Sequence, residues 1–454
     1  MVSEKDMHEG NIFKLILNFS GPAITGMLVM SVYNIVDRIY IGRGVGTLGI
    51  AGIAIGHPLM MIKGAMAMLV AIGSSAMISI NLGQKKKEAA EKILGHGFTL
   101  LVVFAIFASG VSLVFLTPLM RLFGASENVL PYATDYMRVI LIGNVFQMIG
   151  YGANNFIRAE GNPRTAMFSS IIGAGTNIIL DPILIFVFEM GVTGAAVATI
   201  ISQAASAAWV LHYYLSGKSY LKIRKINLRP ELPLSLKMMS LGTSSFVRQV
   251  SNSMSIVLLN NSLQHYGGDM AVSAMGVIFS IRTLQMMPVL GISQGVQPII
   301  GYNYGAQQLG RVKKAFKLAV LLATAATVLN FAAIMLFPEF FFRLFTTDAE
   351  LIAVGAAGVR RYMLFLPILG YQVLGANYFQ AVGKPKQAIF LNLSRQAIFL
   401  IPALLFLPRY FGLSGTWSAQ PTADALSVLV TTALVWYEMR RLTQQDKQLQ
   451  QLTN

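Results

Sequence analysis

Gly175-Thr-Asn-Ile-Ile-Leu-Asp-Pro182 sets Asn177 and Asp181 one helical turn apart inside a run that is otherwise apolar. Ile178-Ile179-Leu180 precedes Asp181 and Ile183-Leu184-Ile185 follows it almost at once. If the run lies in a bilayer, such a carboxylate costs on the order of a few kcal/mol, and ionisable groups at that depth mark ion or substrate pathways. The rest of the chain decides whether it does.

Of 454 residues, 55% are hydrophobic and 12% charged, too little polar surface to coat a water-soluble globule of this size. Mean hydropathy is +0.61. Apolar runs of roughly 20 to 28 residues recur along the chain, each enough to cross a hydrocarbon core of about 30 Å. They are too long for barrel strands and do not alternate, and lipid forces every backbone group to be satisfied within its segment, so they are read as helices. The expected fold is an all-α polytopic membrane protein. Its twelve transmembrane helices fall at roughly 14–42, 50–80, 93–117, 131–158, 164–189, 192–215, 235–264, 271–300, 314–337, 351–380, 387–408 and 414–437. No stretch remains for a separate soluble domain.

The formal net charge is +16, with 35 Lys and Arg against 19 Asp and Glu. The cations sit in short loops rather than on one compact face, which argues for topology and against nucleic acid. Lys85, Lys86, Lys87 and Lys92, then Arg158 and Arg164, then Lys218, Lys222, Arg224, Lys225 and Arg229 share one side with Arg311, Lys313, Lys384 and Arg440. That side is expected to be the cytoplasm, with both termini on it. Cys is absent, which excludes disulfides and thiolate metal sites. The first nine residues mix charge signs and lead into no cleavage site, so no removable signal is expected.

The chain also repeats itself. Asn81-Leu-Gly83 parallels Asn303-Tyr-Gly305, Asn155 through Pro163 parallels Asn377 through Pro385, and Gly191-Val-Thr-Gly194 parallels Gly412-Leu-Ser-Gly415, at offsets of 222, 222 and 221 residues. One period across three landmarks implies two six-helix bundles of the same orientation, related by a pseudo-two-fold axis along the membrane normal with a cavity between them, as in transporters. The expected domains are a first lobe at 1–216, a cytoplasmic linker at 217–234, and a second lobe with a short tail at 235–454.

The two copies differ in their acids. Asp37 shifted by one period falls on Leu259, and Asp181 falls in a segment that keeps Pro402 but no carboxylate. Asp37 is followed by Arg38, and one reading is an interfacial pair at a helix end; adjacent helical residues point about 100° apart, however, so Arg38 need not neutralise it. Asn154, Asn155 and Tyr136 on helix 4, and Thr199 and Gln203 on helix 6, could converge on the acids. Each alone reads as an interhelical hydrogen bond. Together with Asn177 they make an oxygen-rich site of the kind Na⁺ or a relayed proton uses.

Helix 1 carries Gly21-Pro22 with Gly26 one turn later, either a hinge or a static kink. Among 24 Met residues, Met27, Met30, Met286 and Met287 fit a re-packable substrate cavity with Asn34, Asn155 and Gln203, or else simple core filling. In the second lobe Asp424 is expected to pair with one of Arg248, Arg282 and Arg395, and Lys63 to find a counter-ion likewise. No metal pair and no nucleophile with a base lies at membrane depth, so the chain is read as neither an enzyme nor a cofactor protein.

From Ser20-Gly-Pro22 to Trp436 the chain resembles the multidrug and toxic compound extrusion (MATE) family, in its DinF-like and MepA-like branch. The motifs that carry the likeness are Tyr33-Asn-Ile-Val-Asp37, Asn81-Leu-Gly83, Arg158-Ala-Glu-Gly-Asn-Pro163, Asn177-Ile-Ile-Leu-Asp-Pro-Ile-Leu-Ile185 and Gly191-Val-Thr-Gly-Ala-Ala196. The resemblance implies V-shaped lobes and a cation-driven exporter of amphiphilic, often cationic drugs and dyes across the bacterial inner membrane, working as a monomer. It implies that Asp37, Asp181, Tyr136, Asn154, Asn177 and Thr199 form the coupling site for H⁺ or Na⁺. Another branch uses an acid pair on helices 7 and 10, and here those helices lack it. The rival reading is a flippase for a lipid-linked sugar, which would favour a strongly cationic cavity.

Overall fold

The structure, a computed structural model, describes residues 4–346 and 348–453. The side chain of Arg38, weighed above as a partner for Asp37, lies outside the described residues. Helix is the only regular structure among the described residues, and each of the twelve expected segments falls mostly within it. Among the described residues eight helices are long and apolar enough to cross a membrane, nine if the pair Ala349–Tyr362 and Leu366–Ala381, bent by 51°, is taken as one span. Two of the eight each hold two expected segments, because Gly268 (φ 62°) breaks Leu232–Gly305 and Gly412 (φ 55°) breaks Ile401–Thr453. Those left-handed conformations fall to glycine, which has no Cβ to clash. The fourth segment runs from Leu130 to Ala159 as short α pieces joined through a wide π turn at Met148–Gly152. The architecture is consistent with twelve spans.

The backbone carries the same period as the sequence. Gly46 and Gly268, Lys85 and Gln307, and Gly161 and Gly383 all have positive φ at a spacing of 222, and Gly191 and Gly412 do so at 221. The turns that reverse the chain are therefore built alike in both halves.

Contacts divide the described chain into two compact units, one holding Gly21–Phe246 and the other His8–Ser20 with the chain from Val247 onward. The division thus falls inside the first and seventh helices, whereas the sequence reading set it in the 217–234 linker. Small residues account for this. A Cβ on Gly73 would stand 1.8 Å from the Met238 carbonyl oxygen, and one on Gly242 would stand 1.7 Å from that of Leu69. The start of the seventh helix is thereby laid backbone to backbone on Thr47–Gly83 in the first unit, an approach that only small residues allow. In the second unit a Cβ on Gly295 would stand 2.5 Å from Ser20 Oγ. Ser20 and Gly242 are one period apart, as are Gly73 and Gly295, so the two crossings are copies of one another.

The segment before the seventh helix is strapped to the first unit. Along the first turns of Lys87–Val114, Glu91 Oε2 pairs with Arg224 Nε at 2.6 Å, Lys92 pairs with Glu231 at 2.6 Å, and the Thr99 hydroxyl donates to the Leu228 carbonyl at 2.7 Å. His96 Nδ1 lies 3.0 Å from the Asn227 carbonyl oxygen. Glu160, just past the Ala153–Ala159 helix, accepts from the Ser219 hydroxyl (2.8 Å) and the Leu221 amide (3.3 Å).

The second unit buries a polar chain. Arg395 Nε donates to Asp424 Oδ1 at 2.8 Å, Gln420 Nε2 donates to the same oxygen at 2.9 Å, and Arg282 Nη1 donates to the Tyr362 hydroxyl at 2.6 Å. Asp424 therefore takes Arg395 as its partner. Lys63 does not follow the expectation: it is buried, and its Nζ has no hydrogen-bond or ion-pair partner among the described residues.

Candidate functional site

The site is assembled within the first unit from four helices. Pro163–Pro182 begins at Asn162, whose side chain accepts from the Thr165 amide as an N-cap, and continues as the wide turn Ile183–Val187. Asp181 lies in its last turn with no exposure, and Asn177 is 1% exposed. Asn177 Nδ2 donates to Asp181 Oδ1 at 3.2 Å, the contact that their spacing predicts. Asp181 Oδ2 and Asn177 Oδ1 are buried with no hydrogen-bond donor among the described residues. The pair thus presents two buried acceptor oxygens, and buried acceptors without a donor favour the arrival of a proton or cation.

Asp37, half-buried on Ile12–Gly44, is close enough to Asp181 for the two carboxyls to interact directly. Tyr136, buried on Leu130–Ile142, lies beside Asp37 and Asp181 and within hydrogen-bonding reach of Thr199, which is buried on Gly191–Leu215. Four of the six expected coupling residues therefore gather around the Asp181 and Asp37 carboxyls: Asp37 and Asp181 themselves, Asn177 and Tyr136. Thr199 joins them through Tyr136.

Asn154 is engaged elsewhere. Its Nδ2 donates to the Ala166 carbonyl at 2.6 Å and to Ser169 Oγ at 2.5 Å, and its Oδ1 accepts from Arg158 Nε at 3.0 Å. No hydrogen bond joins it to either acid among the described residues. Its amide instead tethers Arg158 to the start of Pro163–Pro182. Tyr33, which sequence reasoning did not single out for the site, stands near Asp37 and Asp181. The signal was available, since Tyr33 precedes Asp37 by one helical turn.

Of the expected hinge and cavity residues, Gly21 has open space where a Cβ would stand, while Gly26 is in ordinary contact with Ser170 Oγ at 3.6 Å. The helix is continuous through Pro22, and the division between the two units falls just before Gly21. Asn34 is exposed and donates to the Met30 carbonyl at 2.6 Å, Asn155 donates to the Tyr151 carbonyl at 3.2 Å, and Gln203 Oε1 is buried without a partner among the described residues. Met27 and Met30 are half-buried in the first unit; Met286 is half-buried and Met287 buried in the second. Among the described residues no group of three or more His, Asp or Glu side chains gathers that could hold a metal ion. The carboxyl and amide oxygens of the first unit form a compact hard-oxygen set.

Comparison with known proteins places this geometry in a family. The MatE family model matches residues 22–183 and again 245–405, each half of the repeat taken separately. Multidrug export protein MepA of Staphylococcus aureus is 26% identical over 96% of both chains. The MATE multidrug transporter DinF-BH, solved in complex with a dye, is 41% identical, with 93% of this chain and 95% of that one covered, and superposes with a TM-score of 0.87. An outward-facing MATE family multidrug resistance transporter of the MOP superfamily is 25% identical over 98% of this chain, with a TM-score of 0.91. A model that fits both halves of a two-fold repeated, multi-pass helical chain leads to one assignment: the chain belongs to the MatE family of membrane transporters.

Proposed function

We propose that the chain is a multidrug exporter of the bacterial inner membrane, with both termini cytoplasmic, that moves amphiphilic and often cationic compounds outward by alternating access in exchange for H⁺ or Na⁺. The proposal assigns coupling to the first unit. Asp181 supports this most strongly: a fully buried carboxylate hydrogen-bonded by Asn177, next to Asp37, with no acid one period later. A group that is charged when bare and neutralised when loaded can couple ion entry to a change of helix packing. Ile12–Gly44 carries both Asp37 and Gly21-Pro22, so loading of the acid can be transmitted along one continuous helix to the hinge assigned to Gly21, Pro22 and Gly26. Met27, Met30, Asn34, Asn155, Gln203, Met286 and Met287 are assigned to substrate contact, and Tyr33 joins the coupling set. The dye complex of DinF-BH and the multidrug export protein MepA support the substrate class.

The test is dye efflux from vesicles. Asp37→Asn and Asp181→Asn proteins should insert and fold as the parent does, yet lose gradient-driven efflux of ethidium. Efflux at the parental rate in both variants would sink the assignment.

A further inference from the structure

We propose that the segment between the two halves, residues 217–231, binds anionic phospholipid headgroups. Three observations carry this. The first is that its one acid and one of its cations are already engaged: Glu231 is held by Lys92, and Arg224 by Glu91. The second is that Lys218, Lys222, Lys225 and Arg229 are all exposed, and none has an ion-pair partner among the described residues. Four uncompensated cations thus stand on about fifteen residues of backbone pinned by Glu91, His96, Thr99 and Glu160.

The third is the apolar company. Ile226, between Lys225 and Arg229, is 71% exposed, and Leu232, at the start of the next helix, is 70% exposed. The segment leaves one membrane-crossing helix at Leu215 and enters the next at Leu232, so its length holds it within a few residues of the bilayer edge at both ends. Exposed aliphatic side chains among cations at headgroup depth are the pattern of an interfacial segment: the aliphatic groups enter the acyl boundary and the cations meet phosphate. An acidic protein surface would match the charge but would leave Ile226 and Leu232 without lipid. Because the backbone is already tied to the Lys87–Val114 helix, little ordering is needed on binding, and each cation near an anionic surface strengthens it by about five-fold. Placement in the inner leaflet rests on the topology proposed above. The headgroup assignment does not, since a nanodisc presents the same lipid to both faces.

The chain has no cysteine, so Ile226→Cys gives a single attachment point for a polarity-sensitive fluorophore. In nanodiscs of phosphatidylcholine with one-third phosphatidylglycerol, emission should shift to the blue and iodide quenching should fall about three-fold relative to pure phosphatidylcholine, and molar salt should reverse both. Lys218→Gln, Lys222→Gln, Lys225→Gln and Arg229→Gln together should abolish the lipid response, whereas Lys218→Arg, Lys222→Arg and Lys225→Arg together should keep it. Equal quenching in the two lipids, or a response that survives the four Gln substitutions, overturns the proposal. Protection produced by inorganic phosphate in pure phosphatidylcholine discs would assign the site to free phosphate and overturn the lipid assignment.

Discussion

Glu160 offers a test of how the strap is held. It lies outside the membrane-spanning segments, is 6% exposed, and accepts from Ser219 and Leu221 through one oxygen while the other meets no hydrogen-bond geometry among the described residues. Burial pushes its carboxyl up to about 7 from the ordinary 4.5, against the downward pull of Tyr213, Ser219, the Leu221 amide and Lys87. An acid whose pKa is raised on folding binds its proton more tightly in the native state. Its contribution is therefore full below about 4.5 and is lost as pH rises through about 7. At 1.36 kcal/mol per tenfold, the loss is roughly 3 kcal/mol. Glu160→Gln keeps the shape, keeps an acceptor for Ser219 and Leu221, and removes the titration. In thermal melts the Gln protein should match the parent near pH 4.5 and exceed it above pH 8 by about 3–5 °C, given the shallow conversion of free energy to melting temperature in large proteins. A Gln protein that melts below the parent above pH 8 would refute the reasoning, because it would show that the strap depends on the charged carboxylate.

Three further outcomes follow from packing and charge. Gly73→Ala should lower the melting temperature markedly, since its Cβ would meet the Met238 carbonyl, while Gly64→Ala on the same helix, with open space, should be neutral or slightly stabilising. Removing one member of the Arg395 and Asp424 pair, by Arg395→Gln or Asp424→Asn, should cost about 3–5 kcal/mol in denaturation, and Arg395→Met with Asp424→Leu should recover a good part of it. Lys63→Met keeps volume and removes an unpartnered buried ammonium group, so it should raise stability by about 1–3 kcal/mol; a lower melting temperature would show that Lys63 has a partner the described residues do not supply.

Much of the fold was legible because lipid imposes a coarse code. Apolar run length gave the helices, and three landmarks gave the period that recurs in the backbone at Gly46 and Gly268 or Lys85 and Gln307. The exchange of helix starts between the two units was not legible. It depends on Ser20, Gly73, Gly242 and Gly295, small residues that carry no hydropathy signal and meet only through the three-dimensional arrangement. The same limit explains Lys63: a charge in an apolar run predicts a counter-ion, but whether one lies within reach depends on neighbours distant in sequence.

At the site, spacing within a helix was readable and contact between helices was less so. Asn177 and Asp181 pair as their one-turn separation requires, and the same rule applied to Asn154 points to Arg158, which is the partner it takes. Applied to Asp37, it would also have pointed to Tyr33. The buried chain from Arg282 through Tyr362 and Gln420 to Asp424 and Arg395 draws on residues far apart in sequence, and only the expected pairing of Asp424 with an arginine anticipated it.

The central claim is that ion coupling runs through the first-unit acids. The measurement that tests it most directly is dye dequenching in proteoliposomes under separately imposed pH and Na⁺ gradients, with the parent and Asp181→Asn compared at equal reconstitution. The account predicts that at least one gradient drives dye transport in the parent and that Asp181→Asn abolishes that response while passive dye binding remains. Gradient-driven transport of equal rate in the two proteins would contradict it.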